Sequence, residues 1–254
     1  MDLLQLNYFS QLHDDENVIF CKTDFLPNEF NRIASKGPVV LISGNSDYEI
    51  NDNVVDHCPP NVIKWYAQNA TCSSDRVEGI PIGIENTIAC KREGHGKVWD
   101  HALEKPEILI STPRPEPTKD IYANFSVKTH WSREIVAYTI NKIPYITKRT
   151  GLSYREFVSD VLDHRMVVCP VGNGIDTHRM WETLYLDRVP IVIRNPVTER
   201  FRELPIIFID DWEELKNIEV IYDKYYNVLS NSKSMLDPQY WVDKIKGDLD
   251  ARTN

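Results

Sequence analysis

A chain of 254 residues that is 42% hydrophobic, 26% charged and 10% aromatic can build one large core or two small ones, which excludes a mainly disordered protein. Its net charge of −9, from 29 Lys and Arg against 38 Asp and Glu, excludes a general nucleic-acid binder but leaves room for a local basic pocket around one small anion. The five cysteines (Cys21, Cys58, Cys72, Cys90, Cys169) form no CxxC pair, no run approaches the ~20 apolar residues of a membrane span, and the opening residues lack a basic-then-apolar leader. The expectation is a soluble cytoplasmic protein with reduced thiols.

Short β-branched runs alternate with helix-like segments, the pattern of α/β layering. Strands are expected over 18–21, 39–43, 62–66, 79–84 and 108–110, with a helix over 28–35. Three prolines, Pro113, Pro115 and Pro117, cannot lie inside a helix or a central strand, so 111–118 reads as a stiff extended connector. It divides the chain into a first domain over 1–118, a second over 119–235 and a tail over 236–254. The second half repeats the pattern, with strands over 120–125, 166–169, 189–194 and 206–209. Helices are expected over 132–141, 154–162 and 177–186, from about 210, and through 219–249 with a restart at Asp237-Pro238.

The stretch richest in chemistry is Cys169-Pro170-Val171-Gly172-Asn173-Gly174-Ile175-Asp176-Thr177-His178-Arg179-Met180-Trp181-Glu182. It reads as a buried strand, a glycine-bearing loop and a helix capped by Asp176 or Thr177. A helix start offers free N–H groups and a positive dipole end, which suit a phosphate or pyrophosphate. Arg179 lies in the first turn and Glu182 follows three residues later on the same side, while Trp181, Leu184 and Tyr185 share another face suited to packing. An Arg/Glu pair at this spacing is also what a solvated helix face carries. Neither GxGxxG nor GxxxxGK[ST] occurs in the chain.

Residues 170–193, ending Asp187-Arg188-Val189-Pro190-Ile191-Val192-Ile193, and then Leu204-Pro205-Ile206-Ile207-Phe208-Ile209-Asp210-Asp211-Trp212-Glu213-Glu214-Leu215 resemble the donor-binding segment of exostosin-like glycosyltransferases. There a "G…D…R.WE.L..G.IPIV" pattern precedes a "LP…..DDWEEL" pattern. The resemblance is strongest over 165–215, and this chain has Asp187 where the family usually has glycine. It implies an inverting enzyme of the GT-B type, with two Rossmann-like domains facing a cleft and C-terminal helices packing back toward the first. The second domain would hold the nucleotide sugar and the first the acceptor. Arg179 would contact the diphosphate and Glu182 the ribose hydroxyls, beside Gly174, Asp176 and Thr177. The loop after the first strand of this half, with Asn124, Ser126 and Thr129, should face the same cleft, and Arg133 would add a second phosphate contact.

No essential metal and no bound cofactor are expected, because no Asp-x-Asp follows a cleft-facing strand. Asp248-Leu249-Asp250 reads as a solvated tail, Asp210-Asp211 as a helix start, and Asp56-His57-Cys58 as only superficially a metal cluster. An inverting displacement needs a base for the acceptor hydroxyl. Asp47, after the strand over 39–43, is the first choice. Glu49 lies close by, Glu85 is the second choice, and His57, His95 and His101 rest on weaker positional grounds. The reading is transfer of a sugar (xylose by preference, though no residue dictates it) from a UDP-sugar to a hydroxyl of an oligosaccharide or glycoprotein glycan. The absent anchor points to a bacterial or viral enzyme working in a cytoplasm. The alternatives are a nucleotide-sugar or glycan-binding module without turnover, and a nucleotide-binding interaction protein.

Overall fold

The computed structural model describes residues 2–14 and 16–253 and has an α/β architecture with two parallel sheets, one of four strands and one of five. The chain forms two compact units. One comprises Met1–Leu103, Gly174–Asp176 and Asp237–Asn254; the other comprises Glu104–Asn173 and Thr177–Leu236. No helix among the described residues is long and apolar enough to cross a membrane.

The first unit holds β1 (Val18–Lys22), β2 (Val39–Gly44), β3 (Val62–Ala67) and β4 (Val77–Gly79), side by side in chain order. Every residue of β2 is buried, as a run without polar alternation requires in a parallel sheet covered on both faces. Crossovers that all step one way and are right-handed place their helices on one face. Leu26, Phe30 and Ile33 of helix Leu26–Ile33 and Val55 of helix Asp52–Asp56 accordingly share a core with Ile19, Cys21, Leu41 and Trp65.

The residues between them, Phe20, Ile42 and Tyr66, point to the other face. Helix Pro238–Thr253 packs against β2 and buries Trp241 and Ile245. The Tyr66 hydroxyl donates to Asp248 Oδ2 at 2.6 Å, and burial, reinforced by that carboxylate, raises Tyr66 above the ordinary phenol range. Asp248 is therefore an anchor of this helix and not the solvated tail residue expected from its composition.

β1 is an edge strand whose outward N–H groups are capped by side chains. Phe20 N–H donates to His13 Nδ1 at 3.1 Å and Lys22 N–H to His95 Nδ1 at 2.9 Å, while Arg92 Nη1 donates to Phe20 O at 2.6 Å. Caps of this kind keep the edge from pairing with another chain. A ring that accepts at Nδ1 carries its proton on Nε2 and is neutral. Burial, aided by nearby Arg92, depresses His95 to about 4 from its ordinary 6.5. The unfolded chain therefore binds a proton that the fold refuses, so this contribution is complete above pH 6.5 and is lost as pH falls through about 4. Denaturant titrations from pH 7 to 4 should show wild type losing about 3 kcal/mol more than His95→Asn, which starts less stable.

The second unit holds β5 (Lys119–Ala123), β6 (Ile146–Lys148), β7 (His164–Val168), β8 (Val189–Ile193) and β9 (Ile207–Ile209) in the order β6-β5-β7-β8-β9. The chain moves one way from β5 to β6, then crosses back to β7 and outward. In open α/β sheets that reversal leaves a crevice at the carboxyl ends of the two strands flanking it, here β5 and β7. Ile121, Val136, Met166, Ile191, Ile207 and Ile221 belong to the core of this unit.

Several elements differ from the sequence reading. Residues 108–110 lie in helix Lys105–Ser111, which has Pro106 in its first turn and buries Ile108 and Leu109. An apolar triplet has no period of its own, so helix and strand read alike. The run over 79–84 leaves the sheet after Gly79, and Gly83 turns at φ +67°. Strand β6 and helix Asp52–Asp56 were not expected. The proline run lies in the second unit, where Arg188 Nη2 donates to Pro115 O at 2.6 Å. Asp187 has φ +57°, a left-handed conformation that glycine adopts most easily, and its carboxylate pairs with Lys233 at 2.6 Å.

Candidate functional site

Asn124 directly follows β5, and the loop after β7 leads into helix His178–Tyr185, so both lie where the strand order reverses. Arg179 Nη1 donates to Asn124 Oδ1 at 3.3 Å. Asn124 is itself oriented: its Nδ2 donates to the Tyr122 hydroxyl at 3.2 Å, which donates to Asp160 Oδ2 at 2.9 Å. Burial, then the bond to Asp160, raises Tyr122 above the usual phenol range, so it remains a donor. The Arg179 guanidinium lies 4.8 Å from the centre of the Phe157 ring. Attraction of the cation to the ring face consumes none of the N–H donors, of which a guanidinium has five. Arg179 thus retains donors for an anion.

Arg133 is buried, and its guanidinium is held by backbone carbonyls. Nε donates to Val171 O at 2.6 Å, Nη1 to Ser126 O at 3.1 Å and Nη2 to Pro170 O at 3.3 Å. One side chain therefore ties the loop after β5 to the loop after β7. Burial, with the charge of Arg179, lowers Arg133 to about 10, which leaves it cationic at neutral pH. Among the described residues neither guanidinium is ion-paired with a carboxylate.

Glu182 is buried and accepts from Lys105 Nζ at 2.9 Å. Lys105 lies at the start of helix Lys105–Ser111, with its ammonium 4.7 Å from the centre of the Tyr154 ring. Beneath these groups Cys169 is pushed up to about 12 by burial, and it senses the charges of Arg179, Glu182 and Arg133 together. Lys105, Arg133 and Arg179 against Glu182 make a locally cationic cluster in a chain of net charge −9.

The other expected residues lie in the adjoining loops and in the first unit. Thr177 is the N-cap of helix His178–Tyr185 through its extended backbone, without a side-chain hydrogen bond. Gly174 and Asp176 belong to the first unit. There Asp176 N–H donates to Asn69 Oδ1 at 2.9 Å, and its carboxylate accepts from Ile82 N–H at 2.7 Å. Asn69, at φ +54°, also donates through Nδ2 to Ser46 O at 3.3 Å and Asp47 O at 3.4 Å. A side chain at Gly174 would start 2.9 Å from that Nδ2, so glycine is what permits the close approach. Ser126 caps and Thr129 ends the single helical turn Val127–Thr129, where Ser126 Oγ accepts from Lys128 N–H at 3.3 Å.

Of the acids considered as bases, Asp47 is exposed, and its carboxylate makes no hydrogen bond or ion pair among the described residues, while a side chain at Gly174 would start 3.5 Å from its Oδ1. Glu49 accepts from Thr71 Oγ1 at 3.2 Å, and Glu85 pairs with His101 Nε2 at 3.1 Å. His57 is bonded through Nδ1 to Asn53 O at 2.7 Å, and His95 caps β1. Asp210 pairs with Arg194, and Asp211 caps the turn Trp212–Lys216 in a reciprocal box with Glu214. Among the described residues no group of three or more His, Cys, Asp or Glu could hold a metal ion.

Lys105, Phe157 and Asn69 were missed from sequence. Each acts across a long separation, as in the 77 residues between Lys105 and Glu182. Only the helix-start Pro106 beside Lys105 left a local signal.

No family model matches the sequence. No curated protein matches it either. Among solved structures the chain has a distant likeness to one described as "Crystal Structure of TarM", with a TM-score of 0.39 and 9% identity over 98% of this chain. The chain spans 55% of the length of that structure's chain.

Proposed function

We propose that the chain is an inverting glycosyltransferase of the GT-B type, similar to the exostosin-like enzymes, that transfers a sugar from a UDP-sugar to a hydroxyl of a glycan. The supporting observation is the cationic cluster at the reversal of the second sheet. Arg179, fixed by Asn124 and Phe157, keeps donors available beside the buried charge of Arg133. Preorganised guanidinium groups stabilise the charge that grows on a departing diphosphate. Glu182, paired with Lys105 at 2.9 Å, would accept from the ribose hydroxyls.

In this reading the second unit takes the donor and the first the acceptor, with the base drawn from Asp47 or Glu85. Gly174, Asp176 and Thr177 belong to the loop and cap leading to Arg179. Asp176 serves there by anchoring the loop, since Ile82 already occupies one carboxylate oxygen. A panel of UDP-sugars, scored for thermal shift and for UDP release, tests the reading. A shift and turnover with at least one of them are expected, because a ligand of the native state stabilises by mass action. A panel without shift or release contradicts it.

The leaving group would be stabilised by side chains without a divalent ion. Activity is therefore expected to survive EDTA. Complete loss restored by Mn²⁺ or Mg²⁺ would contradict that part of the account.

A further inference from the structure

Helix Ser132–Ile140 of the second unit packs through one side and leaves the other uncovered. Arg133, Val136, Thr139 and Ile140 are its buried residues. Trp131, which precedes the first turn with helical backbone angles, is followed by Ile135 and Tyr138 at spacings of four and three, so the three form one stripe on the opposite side. They are 72%, 54% and 65% exposed. Lys142 prolongs the stripe, with its ammonium 3.6 Å from the centre of the Tyr138 ring. The charges around the stripe oppose that of the whole chain. Residues 124–150 hold Lys128, Arg133, Lys142, Lys148 and Arg149 against Glu134 alone, in a chain of net charge −9. Arg133 is buried and Arg149 pairs with Asp160 at 2.8 Å, which leaves Lys128, Lys142 and Lys148 exposed beside Glu134. From the packed turn Trp212–Lys216, Glu213 accepts from Thr139 and pairs with Lys216. Along the helix flank that carries Ala137, a cavity of about 330 Å³ has buried walls at Phe125 and Ile140 and the exposed Lys148 in its lining. Lys148 Nζ donates to Ile140 O at 3.1 Å and Ile143 O at 3.3 Å, and an ammonium has a third N–H to give.

We infer that this helix face docks on a membrane surface rich in anionic phospholipid. An exposed patch of large apolar side chains rimmed by polar groups marks an interaction surface. Trp and Tyr, with an apolar ring and a polar tip, favour the boundary between headgroups and acyl chains. Ile135, between them, has no polar group to offer a sugar or a peptide, and hydrocarbon satisfies it fully. Lys128, Lys142 and Lys148 would meet the lipid phosphates. Their local excess in an acidic chain turns this face, and no other part of the second unit, toward a negative surface. The cavity repeats the same order of polarity, apolar walls with an ammonium beside them, and so suits the phosphate and first acyl carbons of one lipid. A helix of nine residues spans only ~14 Å against a hydrocarbon core of ~30 Å, so it lies in the interface and does not cross it. Docking of this kind does not depend on what the cationic cluster at β5 and β7 binds.

The test is flotation of the full chain with vesicles of phosphatidylcholine alone, or of phosphatidylcholine and phosphatidylglycerol in equal parts. Binding to the mixed vesicles is expected to exceed binding to the neutral ones by about tenfold and to weaken as salt is added. Trp131→Ser and Ile135→Ser, at exposed positions that the fold does not use, should each weaken binding to the mixed vesicles by about tenfold, and Lys142→Glu by a similar factor. Circular dichroism confirms that the variants are folded. Trp131→Phe should still float, while quenching of tryptophan fluorescence by lipids brominated near the headgroup should fall. Absence of binding to either vesicle overturns the assignment, as does binding that Trp131→Ser and Ile135→Ser leave unchanged. Retention on heparin without vesicle binding would mean an acidic polysaccharide, and a dimer that Ile135→Ser converts to monomer would mean a second copy of the chain. Either result overturns it too.

Discussion

Replacing Arg179 with alanine is expected to lower kcat/KM for a UDP-sugar by about ten- to hundredfold, the worth of a charge-assisted contact of roughly 1.5–3 kcal/mol. The fold should survive, because among the described residues the side chain makes one 3.3 Å hydrogen bond, to Asn124, and lies over the Phe157 ring at 4.8 Å. Arg202→Ala, at an exposed position, is the control for charge alone. Arg179→Lys should recover only part of the loss, since an ammonium lacks the planar fork of donors that a guanidinium has. Steady-state kinetics on the folded variants decide the matter, and unchanged kcat/KM in Arg179→Ala removes the residue from the donor site.

Arg133→Leu is expected to destabilise the protein by about 3–5 kcal/mol, a larger effect on stability than any surface substitution should have. Its guanidinium serves the carbonyls of Val171, Ser126 and Pro170, and a leucine would leave those acceptors without it. The two loops it joins carry Asn124 and lead to Arg179, so donor affinity should fall as well. Urea unfolding monitored by circular dichroism gives the first number and a UDP titration the second. A variant with wild-type stability would mean that these carbonyls find other donors.

Local pattern and long-range packing explain what was legible in the sequence. The buried run of β2, the proline-opened helix Pro238–Thr253 and the acidic start of the turn Trp212–Lys216 each announce themselves within a few residues, because burial period and capping chemistry are local. Arg179 and Glu182 could be placed on one helix side by spacing alone. The reversal that puts β5 beside both β6 and β7 could not, since strand order depends on which apolar faces meet. The burial of Arg133 was equally hidden, because three backbone carbonyls leave no trace in side-chain types. Residues 108–110 of helix Lys105–Ser111 read as a strand in the sequence because Ile108-Leu109-Ile110 is too short to show a period, which hides Lys105 as the partner of Glu182.

In the proposed reading the cationic cluster at the carboxyl ends of β5 and β7 binds a nucleoside diphosphate. Isothermal titration of UDP, and of UMP in parallel, into the wild-type protein and Arg179→Ala tests it most directly. Tighter binding of UDP than of UMP is expected for the wild type, with a loss of about ten- to hundredfold in UDP affinity on removing Arg179. Equal affinities for UDP and UMP, or UDP binding indifferent to Arg179→Ala, would contradict it.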